Sequence, residues 1–158
     1  MRKRSAYRPK PVLANPLMYV LESFIPIRAH DSYLIDLKIR NHGAMSNLTR
    51  GLADKEDVGT LINMVNVTEA LYRLGFGREY GSVVKDGLDA LHSVGRRGAQ
   101  TGRFVLKAGE MSHLNLIMEL HDAQMDLITI KDMEKAIDLV NKEFEQRKMR
   151  RIMKGAQA

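Results

Sequence analysis

Residues 55–74, KEDVGTLINMVNVTEALYRL, decide the fold class, because apolar side chains recur on two sides of this stretch at helical spacing. The first stripe contains Val58, Leu61, Ile62, Val65 and Tyr72, and the second contains Met64, Val67, Leu71 and Leu74. Asp54 and Asp57 place capping oxygens and negative charge at the start of the stretch, and Gly75 and Gly77 follow its end. A helix that is apolar over most of its circumference is usually surrounded by other helices. The stretch therefore predicts the central helix of a bundle.

The chain on both sides of this stretch predicts further helices and no sheet. We expect helices over residues 16–24, 32–48, 78–94 and 108–127, and a last helix opened by a capping box of Thr129 and Asp132. We expect that last helix to bury Ile130, Met133, Ile137, Val140 and Phe144 on one side. No alternation of apolar and polar residues that would indicate a strand lasts beyond about four residues. The sequence therefore predicts an all-α fold, a compact bundle of about six helices.

The two ends differ from the middle of the chain. Pro9, Pro11 and Pro16 oppose a helix near the N-terminus, so we expect residues 1–15 to form an extended basic arm. Residues 16–145 form the predicted helical domain, and residues 146–158 form a predicted basic helical tail. Between the fourth and fifth helices, the glycines of residues 95–107 predict a flexible basic turn.

Composition limits the chemistry that the chain can perform. The 158 residues include no Cys, which excludes disulfides, thiol catalysis and Cys-bound metals. The chain has neither a Gly-x-Ser-x-Gly nucleophile motif nor a Gly-x-x-x-x-Gly-Lys phosphate loop. It also has no apolar run of the roughly 18 residues that a membrane span needs. We therefore predict a cytoplasmic protein that is not an enzyme and that uses no cofactor.

The five histidines are the remaining candidates for metal binding. Asp89-x-x-His92 and Glu110-x-x-His113 each place a carboxylate and an imidazole one helical turn apart. A carboxylate-bridged di-metal bundle uses two such pairs, but it also needs two further glutamates that this chain does not offer at matching positions. We therefore predict no metal site, and we interpret His121 as a hydrogen-bonded core histidine.

The net charge of +6 is concentrated at the two ends of the chain and in the predicted turn, whereas the middle carries more acids than bases. Such basic clusters attract phosphate backbones. The residues that we expect to contact phosphates are Arg2, Lys3, Arg4, Arg8, Lys10, Arg96, Arg97, Arg103, Lys148, Arg150 and Arg151. The sequence leaves open whether the nucleic acid is DNA or RNA.

Three stretches carry a resemblance: Arg8-Pro-Lys-Pro11, Leu71-Tyr-Arg-Leu-Gly-Phe-Gly-Arg-Glu-Tyr80 and His121-Asp-Ala-Gln124. They resemble small uncharacterised helical proteins of bacterial phages and plasmids. The resemblance implies a bacterial host and an accessory or regulatory role, and no functional residues carry over from it.

Two functions remain open. The first is a non-enzymatic nucleic-acid-binding protein, expected to act as a homo-oligomer. The alternative is an inhibitor or adaptor of a host protein, which would bind through Met149, Ile152 and Met153, an apolar patch at i, i+3 and i+4.

Overall fold

Residues 24–27 and 31–155 are described by the computed structural model, with side chains for residues 24–27 and 32–147. This part of the chain is all-α. Its helices are α1 (Asp31–Thr49), α2 (Lys55–Arg73), a 3₁₀ turn (Arg78–Tyr80), α3 (Gly81–Thr101), α4 (Glu110–Leu127) and α5 (Ile130–Gly155). The described residues contain no strand, and the helix predicted over residues 16–24 lies outside them except for Phe24.

The helix predicted from residues 55–74 is α2, and it is central, because it contacts α1, α3, α4 and α5. Asp54 accepts hydrogen bonds from the backbone N–H groups of Glu56 and Asp57, and the Asp57 carboxylate accepts the Asp54 N–H in return. This reciprocal cap confirms the predicted start of the helix. Ile62 and Leu74 are the exceptions within the apolar stripes, since about two-fifths of each side chain is exposed.

Two apolar clusters hold the helices together. The larger one joins α1, α2, α3 and α4 through residues such as Leu48, Leu61, Val94, Leu114 and Ile117. The smaller one packs the start of α5 and the segment at Ile27 against the ends of α2 and α4; it includes Leu71, Met125, Ile128, Met133 and Ala136. Backbone hydrogen bonds from Ile27 to Ile128 and from Ile130 to Ile25 fix that segment.

The prediction that residues 95–107 form a flexible turn is wrong for its first half, because α3 continues to Thr101. Gly98 is buried, and a Cβ atom on it would overlap the ring of Phe104, which folds back onto the helix. The glycine is therefore a contact position inside a helix, and the packing of Phe104 offsets the intrinsic cost of glycine. The helix ends at Gly102, which has a φ of +72°.

The last helix begins as predicted, but only part of the side predicted to be buried is buried. The Thr129 hydroxyl and N–H donate to the Asp132 carboxylate, and the Asp132 N–H donates to the Thr129 hydroxyl. Of the apolar side predicted for α5, Met133 is buried, but Ile137 is 41% exposed and Phe144 is 69% exposed. The buried side of α5 runs through Met133 and Ala136, whereas Phe144 lies at a small surface pocket between α2 and α5.

No helix within residues 31–155 combines the length and the apolar character that crossing a membrane requires. The predicted boundary between the helical domain and the tail falls inside α5, whose backbone is helical through Gly155.

Candidate nucleic-acid interface

The residues predicted to contact phosphates fall into three groups. The basic arm, which contains Arg2, Lys3, Arg4, Arg8 and Lys10, lies outside the described residues. The tail residues Lys148, Arg150 and Arg151, and the apolar trio Met149, Ile152 and Met153, lie on the helical backbone of α5, but their side chains are outside the described part. Arg96, Arg97 and Arg103 are described in full.

The guanidinium group of Arg97 is engaged inside the protein. It forms a two-pronged ion pair with Glu110, in which Nη2 lies 2.6 Å from Oε1 and Nη1 lies 3.2 Å from Oε2, and it also donates to the Val105 carbonyl. Both side chains are about five-sixths buried. Arg97 therefore joins α3 to the start of α4, and the prediction that it contacts phosphate is not supported.

The surroundings of Glu110 favour its charged form. Burial alone would raise the pKa of this carboxyl, but hydrogen bonds from Arg97 and from the Lys107 backbone N–H outweigh burial and lower the pKa. The carboxylate accepts three hydrogen bonds, and its charge is paired with Arg97.

Arg96, the neighbour of Arg97, points to a different side of α3 because successive helical residues are about 100° apart. It lines a surface groove of about 310 Å³ between α2 and α3, and Arg147 of α5 lines the same groove. The floor of this Arg96–Arg147 groove is apolar and is formed by Ile62, Val65, Leu88 and Leu91. Neither guanidinium has an ion-pair partner among the side chains described.

A salt-bridge cluster joins α2 to α5 one turn before Arg147. Arg73 near the end of α2 pairs with Glu69 one turn earlier at 2.7 Å and with Glu143 of α5. Glu143 lies one turn before Arg147 on α5. The hydrogen bonds of Glu69 and Glu143 go to Arg73, and Arg147 lines a small pocket with these three residues without a hydrogen bond to either carboxylate among the side chains described.

One base from each of two basic clusters, about fifty residues apart in the sequence, thus lines the same groove. Arg96 belongs to the predicted turn, and Arg147 begins the run of bases that continues through Lys148, Arg150 and Arg151 on the same helix. Arg103 is exposed and follows Gly102, where α3 ends. Cations gathered on one surface attract polyanions more strongly than the same cations dispersed.

The candidate metal ligands are not gathered into one site. Glu110 is held by Arg97, and the His113 Nδ1 atom lies 3.9 Å from an oxygen of Asp86 instead. Asp89 and His92 are both exposed on α3. Within the described residues, no three acids or histidines are placed to hold a metal ion.

His121 is a hydrogen-bonded core histidine, as predicted. Its side chain is 2% exposed, and its Nδ1 atom lies 3.0 Å from the Thr68 hydroxyl. Burial is the main reason why the pKa of His121 falls to about 4, and the nearby charges of Lys38 and His42 act in the same direction while Asp122 opposes them. The ring is therefore neutral at physiological pH.

Asn41 on α1 was missed by the sequence reasoning. It is 3% exposed, and its amide nitrogen has no hydrogen-bond partner. A signal was present in the sequence, because Asn41 stands midway between the buried residues Leu34 and Leu48 at heptad spacing. A polar side chain in a buried apolar stripe is uncommon, and such side chains nearly always have a hydrogen-bond partner.

Comparison of the chain with protein-family models, with curated proteins and with solved structures finds no match. The resemblance to phage and plasmid proteins accordingly stays a prediction.

Proposed function

We propose that this chain is a non-enzymatic nucleic-acid-binding protein that contacts the phosphate backbone with the Arg96–Arg147 groove and the adjoining basic end of α5. The observation that supports this proposal is that Arg96 and Arg147, both free of carboxylate partners among the described side chains, line one groove. Such contacts attract nucleic acid without reading its sequence. The resemblance to phage and plasmid proteins extends the proposal to an accessory or regulatory role in a bacterial cytoplasm.

Salt dependence tests the proposal, since each phosphate that a protein cation neutralises releases counterions. Binding to a labelled DNA duplex and to a labelled RNA strand is measured by fluorescence anisotropy over a series of salt concentrations. We expect the affinity to fall steeply with salt. In the double variant Arg96→Gln/Arg147→Gln, the slope of log K against log salt for the duplex is expected to be shallower by about 1.8, which is about 0.9 for each lost contact.

The matched control removes the same charge elsewhere. Arg50 and Lys55 are exposed residues at the connection between α1 and α2, away from the groove. The variant Arg50→Gln/Lys55→Gln is expected to keep the slope of the parent protein. If the two double variants change binding equally, the groove is not the binding surface and only net charge matters.

A second function is favoured by the floor of the same groove. Ile62 is 40% exposed between two cations, and this combination suits an amphipathic helix with acidic flanks. In this alternative the protein is an inhibitor or adaptor, and Met149, Ile152 and Met153 extend the contact. The variant Ile62→Ser separates the two functions, because it removes apolar contact and leaves the charge unchanged. Loss of a partner captured from nuclease-treated lysate, with nucleic-acid affinity unchanged, would favour the adaptor.

Homo-oligomerisation is part of the proposal, because a second copy would double the number of phosphate contacts. Sedimentation velocity with and without nucleic acid tests it. A monomer under both conditions would contradict it.

A further inference from the structure

Gly95 lies inside α3 at a position that packing does not explain. A Cβ atom on Gly95 would meet no described atom within 4 Å outside the backbone of its own helix. A Cβ on Gly87 or Gly98 of the same helix would instead overlap the side chain of Ile117 or Phe104. A glycine inside a helix is destabilising relative to alanine, and it serves where the backbone must come close to another group. At Gly95 that space is open to a ligand.

The open position belongs to the Arg96–Arg147 groove, because Gly95 is one of the residues that line it. Leu88, His92 and Gly95 follow one another on α3 at intervals of four and three residues, so they lie on one side of the helix. Arg96 comes directly after Gly95. The missing side chain thus leaves a space in the wall of the groove, one turn from His92 and next to a cation.

The accessible surface of the groove combines apolar and cationic groups. Of its apolar floor, Ile62 of α2 is 40% exposed and Leu88 of α3 is partly exposed. Arg96 and Arg147 are exposed, and no acid among the described residues lines the groove. A phosphate alone needs only the cations. The exposed apolar floor therefore indicates a ligand that is apolar in one part and anionic in another.

A nucleotide unit of a single strand has both of these parts. Its phosphate pairs with a guanidinium group, and its unpaired base is a flat ring that packs on apolar side chains and on guanidinium planes. In a duplex, by contrast, the faces of each base are covered by the neighbouring bases. A cavity of about 150 Å³ holds a benzene molecule, so a groove of about 310 Å³ has room for a base of one or two rings.

We propose that the groove receives an unpaired base of single-stranded nucleic acid, which packs on Ile62 and Leu88 beside the open backbone at Gly95 while the two arginines hold adjoining phosphates. Asn66 and His92 also line the groove and offer donors and acceptors to the edge of the base. The inference rests on the proposed function and narrows its preferred substrate to single strands. An amphipathic helix would bring a row of apolar anchors, whereas the single space at Gly95 favours one flat ring.

Two strands of equal charge separate base insertion from phosphate contact. One is a short labelled oligothymidylate, and the other is a strand of the same length in which every nucleotide is abasic. We expect the parent protein to bind the oligothymidylate at least about tenfold more tightly in fluorescence anisotropy, because the abasic strand has no ring to pack. The ring current of the base is also expected to shift the Ile62 δ1 methyl resonance, which the abasic strand leaves in place.

A variant fills the space without removing a charge. Gly95→Leu is expected to bind both strands with the weaker affinity that the parent protein shows for the abasic strand. Its unfolding temperature is expected not to fall, because the position is open and leucine favours a helix more than glycine does. The matched control is Gly43→Leu, at a glycine of α1 that is equally open and does not line the groove. This control is expected to keep the tenfold difference between the strands.

The results distinguish this inference from the proposed function on which it rests. Equal binding of the two strands by the parent protein, an undiminished difference in Gly95→Leu, or an equal loss in both glycine variants would overturn base insertion and leave phosphate contact standing. If the parent protein binds neither strand and no duplex, both proposals fail, and the acidic helix is the occupant that remains.

Discussion

Burial of His121 makes the stability of this protein depend on pH. The pKa of the folded imidazole is about 4, whereas the ordinary value is 6.5. As the pH falls below 6.5, the unfolded chain takes up the proton first, so the free energy of unfolding is fully retained above about pH 6.5 and declines between pH 6.5 and 4. We expect a loss of about 3 kcal/mol across this range from His121 alone. Urea denaturation at several pH values measures it.

The control for this prediction is His121→Gln, which should flatten the pH dependence in the same window. Titration of the His121 ring by NMR in the native protein provides a second measurement, which does not depend on how stable that variant is. A native pKa near 6.5 would show that burial does not act on the imidazole as described.

Two glycines of α3 give a matched pair of substitutions. A Cβ on Gly98 would overlap the Phe104 ring, whereas a Cβ on Gly95 would meet no atom within 4 Å. We expect Gly98→Ala to destabilise the protein by about 1–3 kcal/mol through overpacking, and Gly95→Ala to stabilise it by about 0.5–1 kcal/mol through helix propensity. Equilibrium unfolding in denaturant compares the two. Equal effects would mean that Phe104 does not pack on α3.

At the scale of elements, one ion pair fixes the connection between α3 and α4. Arg97 and Glu110 are largely buried and share two hydrogen bonds. Removing the charge of one side chain therefore leaves the other charge largely buried without an ionic partner. We expect Glu110→Gln to cost about 1–3 kcal/mol of unfolding free energy. A double-mutant cycle with Arg97→Met measures the coupling, and additive effects of the two changes would show that the pair does not stabilise the connection.

Helix starts were predictable from the sequence, whereas one helix end was not. The caps at Asp54 and Thr129 are local arrangements in which the interacting residues lie three positions apart, so the sequence contains all the necessary information. The sequence alone does not show whether Gly98 ends a helix or leaves space for an aromatic ring beside one. Its role depends on Phe104 folding back, which is a tertiary contact. The exposure of Phe144 likewise depends on how α5 packs against α2, which is a tertiary contact.

At the scale of the whole molecule, the same limit applies to the candidate sites. The sequence identified the bases at Arg96 and at the end of α5. Arg96 and Arg147 line one groove, however, only because α5 packs against α2. Asn41 of α1 and His121 of α4 likewise line one cavity only once the helices have packed. The sequence also could not show that Arg97 is unavailable for phosphate, because its ion pair with Glu110 is a tertiary contact.

Arg96 and Arg147 are proposed to form one phosphate-binding surface. The most direct measurement is a titration of the ¹⁵N-labelled protein with a short DNA duplex at low salt, in which the side-chain Nε–Hε resonances of the arginines are followed. We predict saturable shifts at Arg96 and Arg147, with Arg97 unchanged because Glu110 holds it. Shifts confined to other arginines such as Arg50, or no shift at any arginine, would contradict the claim.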